Sequence, residues 1–181
     1  MKALTILLFS LFSLPLMLNA QTVDEMLHKV SAAIEAGQHG QAVSYFRQAI
    51  SLNIDRSEMF YWTSIDKSSD ISSKLSNELA LAYKKNRNYD KAFLFYKELS
   101  QKTPDNVDYL EAVAEMQVCR GQEKDALRLY ENILRLDADN LAANIFLGNY
   151  YYLMAEREKK KLESDCLLYT SPSPRDRSLS R

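Results

Sequence analysis

The stretch Ala92-Phe93-Leu94-Phe95-Tyr96-Lys97-Glu98-Leu99 returns 34 residues later as Ala126-Leu127-Arg128-Leu129-Tyr130-Glu131-Asn132-Ile133. Ala92 maps on Ala126, Tyr96 on Tyr130 and Leu99 on Ile133, and the turns that follow, Pro104-Asp105-Asn106 and Ala138-Asp139-Asn140, map on each other as well. A fixed period of this size means stacked supersecondary units, each too small to bury its own apolar face. In both copies a small residue stands four positions before a ring, which places the two on one side of a helix. The small residue lets a neighbouring helix come close, and the ring fills the space beside it.

The same spacing extends outward from the pair. Val23, Met26, Leu27, Val30 and Ile34 recur at helical intervals, with Thr22 and Glu25 as a capping box in front and Gly37 as the stop. Ala42, Phe46 and Ala49 then repeat the pattern of small residue, ring and small residue. Ala42 and Ala92 are 50 residues apart, sixteen more than one period, so an insertion lies between them, at about residues 54–69. It holds Met59-Phe60-Tyr61-Trp62, the densest aromatic cluster and the only tryptophan. Asp55 followed by Glu58 predicts a short helix near Arg56 to Ile65, then a polar loop through Asp66-Lys67-Ser68-Ser69. Phe60, Tyr61 and Trp62 have two readings, as core at a joint between repeats or as an aromatic platform for a partner. Asp70 is expected to cap a helix from Ile71 to Asn86, Asn106 or Val107 to start the next, Gly121 to supply a turn as Gly37 does, and Asn140 to cap Leu141 onward. From Ala155 to Glu163 no turn residue appears, and a charged helical run is predicted to project into solvent, leaving the face around Ile145 and Tyr152 bare.

The order Ala-x3-aromatic-x2-apolar, then Pro-Asp-Asn, preceded by a helix carrying Leu79-Ala80-x2-Tyr83, resembles the tetratricopeptide repeat. Leu147-Gly148-x2-Tyr151 matches the first helix of that unit best, and Gln117 departs from it where a tyrosine is usual. The resemblance implies an all-α chain, an α-solenoid of antiparallel helix-turn-helix units. These cover about residues 22–53, 71–106 and 107–140, with a partial unit at 141–163, inside a domain of residues 21–165. It also implies a concave groove lined by the first helix of each unit, holding an extended peptide or a partner helix. Register against the repeat puts Lys74, Asn77, Leu81 and Lys84, Glu111 and Glu115, and Asn149 and Tyr152 on that groove. The members of the family that grip a C-terminal carboxylate use cations on adjacent helices, and Glu111 and Glu115 stand where those cations are needed, which argues against that mode.

Both ends read differently from the body. Met-Lys followed by an apolar run from Ala3 to Leu18 and then Asn19-Ala20 has the charge, length and small final residue of a secretory signal peptide over residues 1–20; the alternative is an uncleaved anchor. Beyond it no span is long enough to cross a membrane, and a periplasmic or cell-envelope location is expected. Residues 166–181, Cys166-Leu167-Leu168-Tyr169-Thr170-Ser171-Pro172-Ser173-Pro174-Arg175-Asp176 and onward, resemble a translated sequencing adapter and read as a disordered scar; the alternative is a natural tail rich in Ser, Pro and Arg. Without Lys2, Arg175, Arg177, Arg181 and Asp176 the body carries 19 basic and 23 acidic residues, a net charge of −4 that offers no footprint for nucleic acid.

Chemistry is sparsely supplied. His28 and His39 are the only histidines, and neither has an acidic neighbour at metal-binding spacing. No phosphate loop, nucleophile elbow or paired-cysteine site appears. With Cys166 in the suspect tail, Cys119 is alone and reads as a buried, inert thiol. No catalytic residue, metal or cofactor is expected. The sequence therefore predicts a noncatalytic scaffold that binds a protein or peptide through its groove. The alternative is an N-terminal accessory or sensory module of a longer envelope enzyme or signalling protein. Partner identity and oligomeric state are open.

Overall fold

In the computed structural model, residues 23–170 are described. The leader, the Thr22 end of the capping box and residues 171–181 lie outside the described residues. All regular structure among the described residues is helical: α1 (residues 23–35), α2 (His39–Leu52), α3 (Ile54–Ser64), α4 (Asp70–Lys85), α5 (Tyr89–Lys102), α6 (Val107–Cys119), α7 (Glu123–Leu136) and α8 (Leu141–Thr170).

Three of the hairpins close in the same way. Residues 37, 87 and 121 adopt left-handed backbone, with φ of 69°, 58° and 74°. At each, the next residue's N–H reaches a carbonyl five back (Gln38 to Ala33, Asn88 to Tyr83, Gln122 to Gln117), and the left-handed residue's own N–H reaches three back. This is the Schellman arrangement, which satisfies the last carbonyls of a helix while reversing the chain. Gly37 and Gly121 take that conformation without a Cβ penalty, whereas Arg87 occupies it at a cost. Its place in the period is that of Gly121, and the sequence gives no glycine there to mark it.

Between repeats the start of a helix is fixed by asparagine. Asn106 Oδ1 accepts from the Tyr109 N–H at 3.2 Å and Asn140 Oδ1 from the Ala143 N–H at 2.9 Å, as the period predicts. Two predicted starts are corrected. The inserted helix begins at Ile54, because Asn53 Oδ1 accepts from the Arg56 N–H at 2.9 Å; Asn53 is extended (φ −158°, ψ 104°), so its short side chain reaches into the first turn and Asp55 is left for another partner. Asp70 is the first residue of α4 and Ser69 stands at its cap, while the preceding turn is built by Asp66, whose carboxylate accepts from the Ser68 N–H at 2.9 Å.

The small and ringed residues lie where the period puts them. Ala42, Ala92 and Ala126 are wholly buried, as are, or nearly so, Phe46, Tyr96 and Tyr130. The core divides into two clusters: one runs from Val23 to Met116, the other joins α6, α7 and α8 through Leu110, Ala114, Tyr130, Ile133 and Leu147. α3 packs into the first cluster through Phe60 against Phe46 (6.3 Å between ring centres) and Tyr61 against Phe95 (5.8 Å). Helix α8 runs to Thr170, so helical backbone continues past Asp165. Ile145 and Tyr152 are exposed.

Candidate protein-binding surface

The residues expected along the groove fall on α4, α6 and α8. Lys74 and Leu81 are exposed on α4, Asn77 and Lys84 half-buried; Glu111 and Glu115 are half-buried on α6; Asn149 and Tyr152 are exposed on α8. The structure joins three of them, Lys84, Glu111 and Glu115, to a neighbouring helix of this row. Lys84 Nζ meets Glu115 Oε2 at 2.5 Å, joining α4 to α6, and Asn140 Nδ2 donates to Glu111 Oε2 at 3.1 Å, joining α6 to the start of α8. Lys74, Asn77, Asn149 and Tyr152 are not drawn into these pairs. Tyr152 corresponds by period to Val118, a residue packed on the second cluster, and so lies toward the side that α6 turns to α7.

One element of this row was missed by the sequence reading. Arg47 of α2 grips Glu78 of α4 with two hydrogen bonds, Nε to Oε2 at 2.8 Å and Nη2 to Oε1 at 2.6 Å. Arg47 and Glu78 are 31 residues apart, as are Lys84 and Glu115, and that shared separation of opposite charges was the available signal. The fork geometry holds the glutamate by both oxygens, and the hydrogen bonds to Glu78, with its negative charge, keep the Arg47 guanidinium's pKa above its ordinary value. Beside this pair lies an open cleft of about 450 Å³ lined by Arg47, Ile50, Ser51, Glu78, Leu81 and Lys85. Leu81, 47% exposed, is the most open of its apolar residues, beside the half-buried Ile50 and Ala82. Arg47 and Lys84 are thus both held by carboxylates of the same surface, which leaves Lys74 and Lys85 as its cations outside ion pairs among the described residues.

The aromatic insertion resolves into three environments. Tyr61 is wholly buried and its hydroxyl lies 3.2 Å from Ser72 Oγ and 3.1 Å from Glu98 Oε1, so it faces the core and offers no ring to a partner. Phe60 is half-buried, and Trp62, 51% exposed, stacks on Phe95 at 5.6 Å with its indole N–H on Glu58. Glu58 binds α3 to α4 and α5: it accepts from Tyr83 Oη and, at 2.7 Å, from Lys91 Nζ. Burial pushes the Glu58 carboxyl up, but the hydrogen bonds from Lys91, Tyr83 and Trp62 outweigh it and hold the group below the ordinary carboxylate value. Burial raises the Tyr83 phenol to about 12. The Lys67 ammonium lies over the Tyr61 ring, 3.2 Å from its centre, and burial there lowers its pKa to about 8.

Cys119 corrects an expectation: it is exposed, as the last residue of α6, where the helix end leaves it open to solvent. Among the described residues no three His, Cys, Asp or Glu side chains converge on a metal position, and no helix is long and apolar enough to cross a membrane. His28 is exposed on α1 and His39 half-buried at the start of α2.

Paired antiparallel helices on a 34-residue period, closed by repeated Schellman turns, define a tetratricopeptide-like repeat protein. A solved structure agrees at close range. A Bacteroides ovatus protein, provisionally described as a protein binding protein, is 77% identical over 86% of this chain and 76% of its own, with a TM-score of 0.78, and the chain belongs to its family. MamA AMB-1 (17% identity, 91% of this chain and 99% of that one, TM-score 0.49) and the tetratricopeptide domain of Arabidopsis OM64 (18%, 72% and 95%, TM-score 0.42) are more distant likenesses. No family model and no curated protein matches the chain.

Proposed function

We propose that the protein is a noncatalytic, exported scaffold of the cell envelope that docks a protein or peptide partner on the face formed by α4, α6 and α8. The observation that carries this reading is the cleft beside Leu81. It joins an exposed apolar side chain to a rigid polar frame, Arg47 with Glu78 on one side and Lys84 with Glu115 along the row. A backbone laid along such a frame finds hydrogen-bonding groups already held in place, which lowers the entropy cost of binding. The protein-binding description of the Bacteroides ovatus relative supports the same reading. The apolar leader supports export.

The test is a selection of displayed random peptides on the immobilised chain, followed by calorimetric titration of the selected peptides against variants. Leu81→Arg and Glu115→Lys are expected to weaken binding at least ten-fold, while Lys97→Glu on the exposed side of α5 leaves it unchanged. Peptides whose affinity ignores Leu81 and Glu115 would move the site elsewhere. For location, the amino-terminal sequence of the chain recovered from the envelope fraction is expected to begin at Gln21.

A further inference from the structure

We propose that the cleft where α2 meets α4 takes an aliphatic side chain flanked by a carboxylate, so that the partner docks through an internal segment with Asp or Glu within two residues of an aliphatic residue. This rests on the docking reading above and adds two things to it: α2 joins the binding face, and the partner's chemistry is specified. The floor of the cleft is apolar, with Leu81 open to solvent and Ile50 of α2 and Ala82 half-buried beside it. Its volume, about 450 Å³, is within the range of clefts that enclose small groups.

The rim decides which group stands next to the apolar one. Its charged residues are Arg47, Glu78 and Lys85. The Arg47 side chain is 67% exposed and that of Glu78 12%, so an approaching chain meets the guanidinium and finds the glutamate enclosed behind it. Glu78 takes up the Nε and one Nη2 hydrogen of Arg47, which leaves the remaining guanidinium N–H groups to donate. Lys85 is exposed and enters no ion pair among the described residues, and an ammonium offers donors and no acceptor. A carboxylate seated at this rim gains charge-assisted hydrogen bonds, whereas a cation meets two like charges with both oxygens of Glu78 already engaged. The arrangement belongs to these residues and not to the repeat as such. One period along, Leu81, Lys85 and Glu78 become Glu115, Cys119 and Ala112, so the next joint carries neither the open leucine nor the free cation.

Short random peptides displayed through their C-termini, and so presenting no free terminal carboxylate, are selected on the immobilised full chain; N-acetylated, C-amidated copies of those enriched are then titrated by calorimetry. The expected result is enrichment of Asp or Glu within two residues of an aliphatic residue. Changing that acid to its amide, or Lys85→Glu in the protein, should each weaken binding about ten-fold, and a peptide with lysine in place of the acid should prefer the Lys85→Glu variant to the native chain. Leu81 and Lys85 are exposed, so Leu81→Arg and Lys85→Glu should keep the native circular dichroism. Peptides that lose affinity with Leu81→Arg but carry no acid, or that ignore Lys85→Glu, would overturn this inference and leave the docking face standing; so would peptides that bind only once their C-terminal carboxylate is freed. No enrichment, or affinity indifferent to Leu81→Arg, would remove both.

Discussion

Replacing Tyr61 separates what its ring contributes from what its hydroxyl contributes. The residue is wholly buried, with Trp62 and Phe95 edge-on at 5.1 and 5.8 Å. Truncating a buried aromatic to alanine costs about 3–5 kcal/mol, and two ring contacts favour the upper half of that range. The hydroxyl is a smaller matter. Its two partners, Glu98 and Ser72, each keep Lys102 Nζ at 3.2 Å when it is gone, so neither is stranded. Tyr61→Phe should therefore cost about 1 kcal/mol and Tyr61→Ala about 4. For a body of this size each kcal/mol moves the melting temperature by about 2–4 °C, giving a fall of about 2–4 °C for phenylalanine and about 8–16 °C for alanine. Urea titration followed by far-ultraviolet circular dichroism measures both. Equal losses for the two variants would show that the polar cluster, and not the ring, seats α3; a loss below about 1.5 kcal/mol for alanine would show that α3 is not part of the cooperative core.

Other substitutions probe the joints. Ala92→Asp and Ala126→Asp each bury a charge with no partner at a wholly enclosed position and are expected to cost about 4 kcal/mol or more, abolishing the cooperative melt seen by circular dichroism. Arg87→Gly relieves left-handed backbone at a non-glycine residue and should stabilise by about 0.5–1 kcal/mol in a urea titration, the unfolded chain's added freedom offsetting part of the gain. Because the folded state holds the Glu58 carboxyl below its ordinary value, it adds stability above the unfolded carboxylate pKa and loses it as pH falls through the folded one. Glu58→Gln is expected to flatten the decline of stability on acidification, read as melting temperature from neutral pH downward. Cys119, being exposed, should react with a thiol reagent in the native state without denaturant, monitored in a Cys166→Ser background.

The beat of small and ringed residues made the array readable because each such pair is a local statement about one helix face, repeated often enough to be unmistakable. Ala42, Ala92 and Ala126 needed no tertiary knowledge. The asparagine caps at 106 and 140 were readable for the same reason. The start of α3 was not, because Asn53 and Asp55 are both competent caps and only the extended backbone at Asn53 decides between them. Arg87 hid a turn, since glycine is the residue that announces left-handed backbone and the turn here is imposed by the bonds of Asn88 and its neighbours. Cys119 was misjudged through its apolar type at a helix end, where burial depends on how far the next helix overlaps. On the candidate surface the periodic register assigned residues to α4, α6 and α8, but it did not show that Arg47 is clasped by Glu78, a contact made by long side chains across two helices.

α6 gives Val113 and Met116 to one core and Leu110 and Ala114 to the other. Mechanical or thermal stress applied to α7 and α8 therefore reaches the remainder chiefly through a single rod of thirteen residues, with Leu129 of α7 as a further contact on the first core. Amide exchange should accordingly be faster in the last hairpin than in α4 and α5, with α6 marking the step between them. Lineages that lengthen or shorten the array could do so past that rod without disturbing the aromatic joint at the other end.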